Sequence, residues 1–151
     1  GVMSPFNAWL MLRGMRTLHL RMSAHCANAQ RVAEFLAQHA KVEHVNYPGL
    51  PHHPGHDLAK LQMKGFGAMM SFTVKGGYQG GKQVMDRVKI FARAASLGDT
   101  RSLIVHSAST SHRAVPREQR EAIGITDALV RLSVGVEAVE DLIQDLAQAL
   151  A

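Results

Sequence analysis

Cysteine is almost absent. Cys26 is the only one in 151 residues, so no internal disulfide can form, and no cysteine pair is available for zinc or redox chemistry. A chain so poor in cysteine points to the reducing cytoplasm. Long apolar runs are missing too. The longest, such as Ala8-Trp9-Leu10-Met11-Leu12, fall far short of the roughly 20 residues that cross a bilayer, and no signal-peptide pattern is visible. Acidic residues are scarce relative to basic ones: twelve Asp and Glu face seventeen Lys and Arg, a net charge of +5. The bases alternate with acids, as in Arg117-Glu118-Gln119-Arg120-Glu121, and no aromatic platforms interleave them. That pattern argues against a nucleic-acid partner; a small anionic ligand would use the same charge more economically.

What is present is a core. Hydrophobic residues make up 46% of the chain, enough for one ordinary domain. Ser4-Pro5 is a helix start, a hydroxyl cap followed by proline at the first helical position. The pattern predicts a helix over 5–39, with Trp9, Leu12, Met15, Leu18 and Met22 on one stripe. At 1.5 Å per residue such a helix is about 50 Å long, more than this chain can bury in its own core. Residues 1–40 are therefore expected to pack against something outside the chain, with a bend or break at 14–23 as the alternative, and 41–151 to form the domain proper. The abrupt opening at Gly1-Val2-Met3 reads as a cut inside a longer protein. Strands are expected at 42–47, 67–74, 90–95, 102–106 and 128–134, and helices at 57–63, 78–88, 116–122 and 139–150. The spacing predicts an α/β two-layer sandwich, with a largely antiparallel sheet and helices on one face.

Several groups of residues carry candidate chemistry. Gly76, Gly81 and Lys82 have the spacing of a phosphate-binding loop, but Gln83 stands where that motif needs a hydroxyl for magnesium, and a glycine-rich turn feeding a helix is the better account. His52, His53 and His56 share one loop and could hold zinc; two prolines and Gly55 also suit a rigid surface loop. Ser109 with His112 lacks the order of a nucleophilic triad. Arg131 lies within Leu129-Val130-Arg131-Leu132-Ser133-Val134, where alternation puts it on the face of Leu129 and Ser133. A guanidinium in so apolar a strand needs a partner. It either pairs with Asp or Glu or binds a ligand anion, for which its planar fork suits a carboxylate. Ser96-Leu97-Gly98-Asp99-Thr100, after an apolar segment, could offer N–H groups and a hydroxyl to an anion, or be a plain turn.

These stretches carry a resemblance. Ser4-Pro5-Phe6-Asn7-Ala8-Trp9, Tyr47-Pro48-Gly49-Leu50-Pro51 with His53 and His56, Gly65-Phe66-Gly67-Ala68-Met69-Met70-Ser71-Phe72, Ser96-Leu97-Gly98-Asp99-Thr100, Ser102-Leu103-Ile104 with His106, and Gly124-Ile125-Thr126-Asp127 running into Leu129 to Glu137 follow one another in order. Together they resemble the C-terminal region of the Cys/Met metabolism enzymes that depend on pyridoxal phosphate (PLP). That family includes methionine gamma-lyase, the O-acyl-homoserine sulfhydrylases, cystathionine gamma-synthase and the cystathionine beta- and gamma-lyases. The resemblance implies the small C-terminal domain of a fold-type I transferase. It implies that Arg131 binds the substrate α-carboxylate, that Ser96 lies near it and near the cofactor, and that Leu97 helps orient the bound amino acid. Thr126-Asp127 would belong to the turn that positions the arginine strand.

It also implies what the chain does not hold. The Schiff-base lysine, the ring-stacking aromatic and most phosphate ligands of the family lie upstream, and Lys41, Lys60, Lys64, Lys75, Lys82 and Lys89 sit in nothing like the Schiff-base motif. No catalytic residue and no metal site is thus expected here; the chain alone would bind no PLP and be inactive, and its partners would be the missing PLP-binding domain and a sulfur-containing or O-acylated amino acid, in a cytoplasmic homotetramer. The wording of the motifs favours a methionine gamma-lyase or O-acyl-homoserine sulfhydrylase type over cystathionine gamma-synthase or the cystathionine lyases. A non-catalytic amino acid-binding or assembly module is the alternative of another class. His106-Ser107-Ala108 departs from the family's His-Pro-Ala, a change expected to loosen that loop, and Arg113 is an added charge without an assigned role.

Overall fold

A computed structural model describes all residues 1–151. The single helix expected over 5–39 is two. Helix α1 spans Pro5–Met15 and α2 spans Leu18–Gln38, so the break falls inside the 14–23 window. Ser4 Oγ accepts from the Asn7 amide at 3.4 Å, and Pro5 takes the first turn, as the capping pattern requires. At the break Thr17 leaves the helical region (φ −108°, ψ 7°). Arg21 Nη1 then bridges the gap. It donates to Thr17 Oγ1 at 2.6 Å and to the Gly14 carbonyl at 3.0 Å, satisfying a carbonyl freed at the end of α1.

Beyond α2 come β1 (Val42–Asn46), α3 (His56–Gln62), β2 (Met69–Val74), α4 (Gly77–Arg87), β3 (Ala92–Arg93), β4 (Leu103–His106), a 3-10 turn (Ser107–Ser109), α5 (Arg117–Ala122), β5 (Leu129–Ser133) and α6 (Val139–Leu150). The sheet order is β1-β2-β5-β4-β3. All neighbours are antiparallel except β3 and β4. The strand expected at 90–95 shrinks to two residues for a visible reason. The amides of Lys89, Ile90 and Phe91 turn onto the carboxylate of Asp145 in α6 instead of joining the ladder.

One face of the sheet makes the core. Val45, Phe72 and Val130 lie in register across β1, β2 and β5, and Met70, Leu132 and Ile104 form the next row. Val32 and Leu36 of α2, Val84 of α4, and Leu142 and Leu146 of α6 pack onto them in one buried cluster. Each such side chain contributes about 1.5–3 kcal/mol by leaving water. The expected two-layer α/β sandwich is therefore the observed one, with the other face of the sheet free of helices α2, α4 and α6. Helix α1 stands apart: it buries no residue, and Phe6, Trp9, Leu12 and Met15 are 66%, 55%, 64% and 56% exposed.

Candidate functional site

Because strand side chains alternate, the residues between the core rows share the open face. Asn46 of β1 faces Ser71 of β2, Ser71 faces Arg131 of β5, and Arg131 faces Val105 of β4. Arg131 thus lies at the centre of the open face, on the side its alternation with Val130 and Leu132 predicts. The face is hollowed into a cleft of about 390 Å³, lined by Asn46, His53, Ser71, His112 and Arg131 among others, and by no Asp or Glu.

Arg131 Nη2 donates to the Ser96 carbonyl at 3.0 Å. None of the ion pairs in the chain involves Arg131, so the carboxylate partner that sequence reasoning left open does not exist within these residues. The carbonyl holds one arm of the guanidinium and leaves its charge uncompensated. The segment that follows Ser96 crosses toward the other end of β5: Gly98, at φ +76°, donates its amide to Ser133 Oγ at 3.0 Å. A positive φ is open to glycine at little cost, which makes this crossing a glycine-dependent turn. Ser96 and Leu97 are exposed; Leu97 and Gly98 line a second cleft of about 300 Å³ with Met22, His25 and Met69. The structure therefore joins Ser96 to Arg131 through its backbone, and sets Leu97 on the adjoining hollow, with Met69 shared between the two.

The approach to β5 is anchored by charge. Asp127 receives Arg120 Nη2 at 2.7 Å, with Arg117 Nε at 3.4 Å. The Arg120 hydrogen bond holds the Asp127 carboxyl below its usual range, with Arg117 adding to it against the opposing effect of burial. The Thr126 carbonyl accepts from the Leu129 amide, so Thr126 and Asp127 form the turn from which the arginine strand starts.

Other candidates resolve as architecture. Gly76 opens α4 in the left-handed region (φ +95°) and Lys82 pairs with Asp86 at 2.5 Å, while a side chain on Gly81 would press within 2.6 Å of the buried His106 ring. These glycines serve a turn and a close approach. His52, His53 and His56 are tied to the backbone instead of to one another: His52 Nε2 lies 3.4 Å from the Val45 carbonyl, Gly55 N donates to His53 Nδ1 at 3.0 Å, and His56 Nδ1 lies 2.7 Å from the Pro48 carbonyl, its ring stacked on Phe66. No three His, Cys, Asp or Glu side chains converge as metal ligands. The turn with Ser107 in place of proline is closed by hydrogen bonds from the His112 amide to the Ser107 carbonyl (2.9 Å) and from Thr110 Oγ1 to the His106 carbonyl (2.8 Å).

Sequence reasoning missed that His53 and His112 share the Arg131 cleft with Asn46 and Ser71. Strand register aligns Asn46, Ser71 and Arg131, and the loops after β1 and β4 bring His53 and His112; the period-2 pattern of β2 could have put Ser71 on the polar face. PLP needs a lysine to form its Schiff base. All six lysines are exposed and none lines either cleft. The residues present do not supply that anchor; to the first cleft they supply one guanidinium, that of Arg131.

Comparison with known proteins agrees with this division. The model of the Cys/Met metabolism PLP-dependent enzymes matches residues 1–151. An L-methionine gamma-lyase of Fusobacterium nucleatum subsp. polymorphum is 55% identical over 149 residues, covering 99% of this chain and 38% of the relative. A crystal structure of cystathionine gamma-synthase from Xanthomonas oryzae pv. oryzae, in complex with aminoacrylate and cysteine, superposes with a TM-score of 0.91 at 51% identity, over 97% of this chain and 38% of that one. One from Campylobacter jejuni, described as an O-acetylhomoserine (thiol)-lyase and carrying a pyridoxyl-lysine monophosphate, gives 0.92 at 41% identity, over 98% and 35%. The chain spans little more than a third of the length of these relatives. It belongs to the Cys/Met metabolism PLP-dependent enzyme family.

Proposed function

We propose that these residues form the C-terminal, substrate-side part of a PLP-dependent enzyme of sulfur amino acid metabolism, of the methionine gamma-lyase or O-acyl-homoserine sulfhydrylase type, and that Arg131 holds the α-carboxylate of the amino acid. The observation that carries this reading is the guanidinium of Arg131, central in a cleft without acids and bonded only to the Ser96 carbonyl. A buried or half-buried arginine without a carboxylate is a site for one. Ser96 fixes the plane of the guanidinium through its carbonyl oxygen, and Leu97 offers apolar surface beside it. Held at its carboxylate, the amino acid loses the freedom to rotate its Cα bonds away from the reacting group. PLP supplies the electron sink for such chemistry and is anchored outside these residues, so the 151-residue chain alone is inactive. In this reading residues 1–40 link to the PLP-binding domain: the uncovered apolar side chains of α1 pack against it, while α2 lays Val32 and Leu36 onto the sheet of the 41–151 substrate-side domain. The parent works as a cytoplasmic homotetramer. No helix here is long and apolar enough to cross a membrane.

A cystathionine gamma-synthase or lyase parent is the second reading, favoured by the 51% identity to the Xanthomonas enzyme. The carboxylate role is tested by calorimetric binding to the full-length enzyme of an amino acid and of the amine that lacks its carboxylate. Arg131→Ala is expected to weaken the amino acid about 100-fold, the loss of a bidentate charge-assisted pair, and to leave the amine within about twofold, a factor worth under 0.5 kcal/mol. Equal weakening of both ligands would sink the assignment.

A further inference from the structure

The segment 96–102 carries the one protein partner of the Arg131 guanidinium, the Ser96 carbonyl, yet no apolar packing holds it. Ala95 to Arg101 are all exposed, and no residue from Ala92 to Arg101 belongs to the buried core. Its place is set by polar tethers to β5 and to the residues that follow that strand. Arg131 Nη2 donates to the Ser96 carbonyl at 3.0 Å, Gly98 N to Ser133 Oγ at 3.0 Å, and Val136 N to the Thr100 carbonyl at 2.9 Å. As the segment ascends from 96 to 100, its partners ascend from 131 to 136. It therefore runs alongside β5 in the same direction before it turns back into β4.

The tethers concentrate where it turns back. Glu137 grips Ser102 with both carboxylate oxygens: Oε1 accepts from the Ser102 amide at 2.7 Å, and Oε2 from the Ser102 hydroxyl at 2.9 Å. Ser102 is fully buried, and its Oγ accepts from the Gly135 amide at 2.8 Å. Glu137 is itself fixed. Asn28 Nδ2 of α2 donates to the Glu137 carbonyl at 2.8 Å and to the Gly135 carbonyl at 3.1 Å. A side chain at Gly135 would meet Glu137 Oε2, the Thr100 carbonyl and the Ser102 amide at once, so so close an approach is open to glycine alone. Glu137 enters no ion pair; its charge is met by one amide and one hydroxyl.

We propose that Glu137 is a positioning residue for substrate binding. By clamping Ser102 it fixes the root of the 96–102 segment, and through the Ser96 carbonyl it holds the Arg131 guanidinium in the orientation that receives the α-carboxylate. This rests on the reading of Arg131 as the α-carboxylate holder. A guanidinium already oriented loses little freedom when its ligand arrives, whereas a loose one must be ordered at that moment. The sign of the effect separates this role from a plain charge effect. As a bare charge, Glu137 repels a bound anion, so removing that charge alone would tighten the binding of an amino acid. Loosening the clamp weakens it.

The probes are L-norleucine and n-pentylamine, which differ only by the α-carboxylate, with affinities measured by calorimetry on the full-length enzyme. Glu137→Ala is expected to weaken norleucine about fivefold, the cost of ordering one long side chain on binding, and to leave pentylamine within about twofold. Glu137→Gln keeps the length and one acceptor for the Ser102 amide, and is expected to retain most of the norleucine affinity. Glu137→Asp keeps the charge but falls one methylene short of Ser102, and is expected to behave as Glu137→Ala does. If Glu137→Ala fails to fold, this pair decides the matter in its place. In an Arg131→Ala background the effect of Glu137→Ala on norleucine should vanish. Unchanged or tighter norleucine binding in Glu137→Ala, equal weakening of both probes, or a loss that persists without Arg131 overturns the positioning role. Norleucine weakened by Arg131→Ala but not by Glu137→Ala removes the positioning role and leaves the α-carboxylate reading standing. Norleucine untouched by Arg131→Ala removes both.

Discussion

Replacing Asp145 by alanine removes the acceptor for three consecutive backbone amides. The carboxylate, 4% exposed, receives Lys89 N at 2.8 and 3.1 Å, Ile90 N at 2.8 Å, Phe91 N at 3.2 Å and Gln148 Nε2 at 3.0 Å. Hydrogen bonds to a charged group each contribute about 1.5–3 kcal/mol, and a buried donor left unpaired costs about 1–3 kcal/mol. Lys89 and Ile90 are exposed and regain water, whereas Phe91 is only 3% exposed and its amide does not. The expected loss for Asp145→Ala is therefore about 3–5 kcal/mol, most of it from the Phe91 amide and the lost charge assistance. Asp145→Asn keeps one acceptor oxygen but aims an N–H at the amides, and is expected to cost about 2–3 kcal/mol. The assay is urea unfolding followed by far-ultraviolet circular dichroism, because Trp9 is in the exposed α1 and its fluorescence reports little of the core. Hydrogen exchange at 89–91 is expected to accelerate in step. A loss below about 1 kcal/mol for Asp145→Ala, or unchanged exchange at Phe91, would refute the view that this carboxylate ends the ladder at β3.

Gly14→Ala is expected to stabilise the chain by about 0.5–1 kcal/mol, since the position is helical and a side chain there meets nothing within 4 Å; a lower urea midpoint would contradict it. Gly81→Ala should cost about 1–3 kcal/mol through overpacking against His106, visible as a lower thermal midpoint, and a neutral result would mean that α4 shifts without penalty. Asp127 tests the pH dependence. Its folded carboxyl titrates below its ordinary value of 3.8, chiefly through the Arg120 hydrogen bond, so the stabilisation is complete above that value and fades as pH falls through the lowered one. The gap in urea midpoint between wild type and Asp127→Asn should be widest near neutrality and close on acidification; a gap independent of pH would show that the ionised pair contributes nothing.

The sequence by itself determined the order of elements, the helix at Val139–Leu150, the capped start at Ser4-Pro5 and the face on which Arg131 stands. All of these are local: they follow from a hydroxyl beside a proline, from the spacing of Leu142, Leu146 and Ala149, or from strict alternation around one residue. What it could not determine depends on residues far apart in the chain. The break at Arg16-Thr17 falls where Arg21 reaches back across it, within a pattern that continues as helix on both sides. The strand at 90–95 collapsed because a carboxylate 54 to 56 residues later takes its amides. Arg131 could have paired with an acid, and only the fold shows that its partner is a carbonyl at Ser96 and that two histidines, 53 and 112, share its cleft. Propensity and periodicity act within a few residues, whereas the partner of a charge is set by strand register and loop crossing. For that reason the arginine was legible in the sequence, and its surroundings were decided by the tertiary structure.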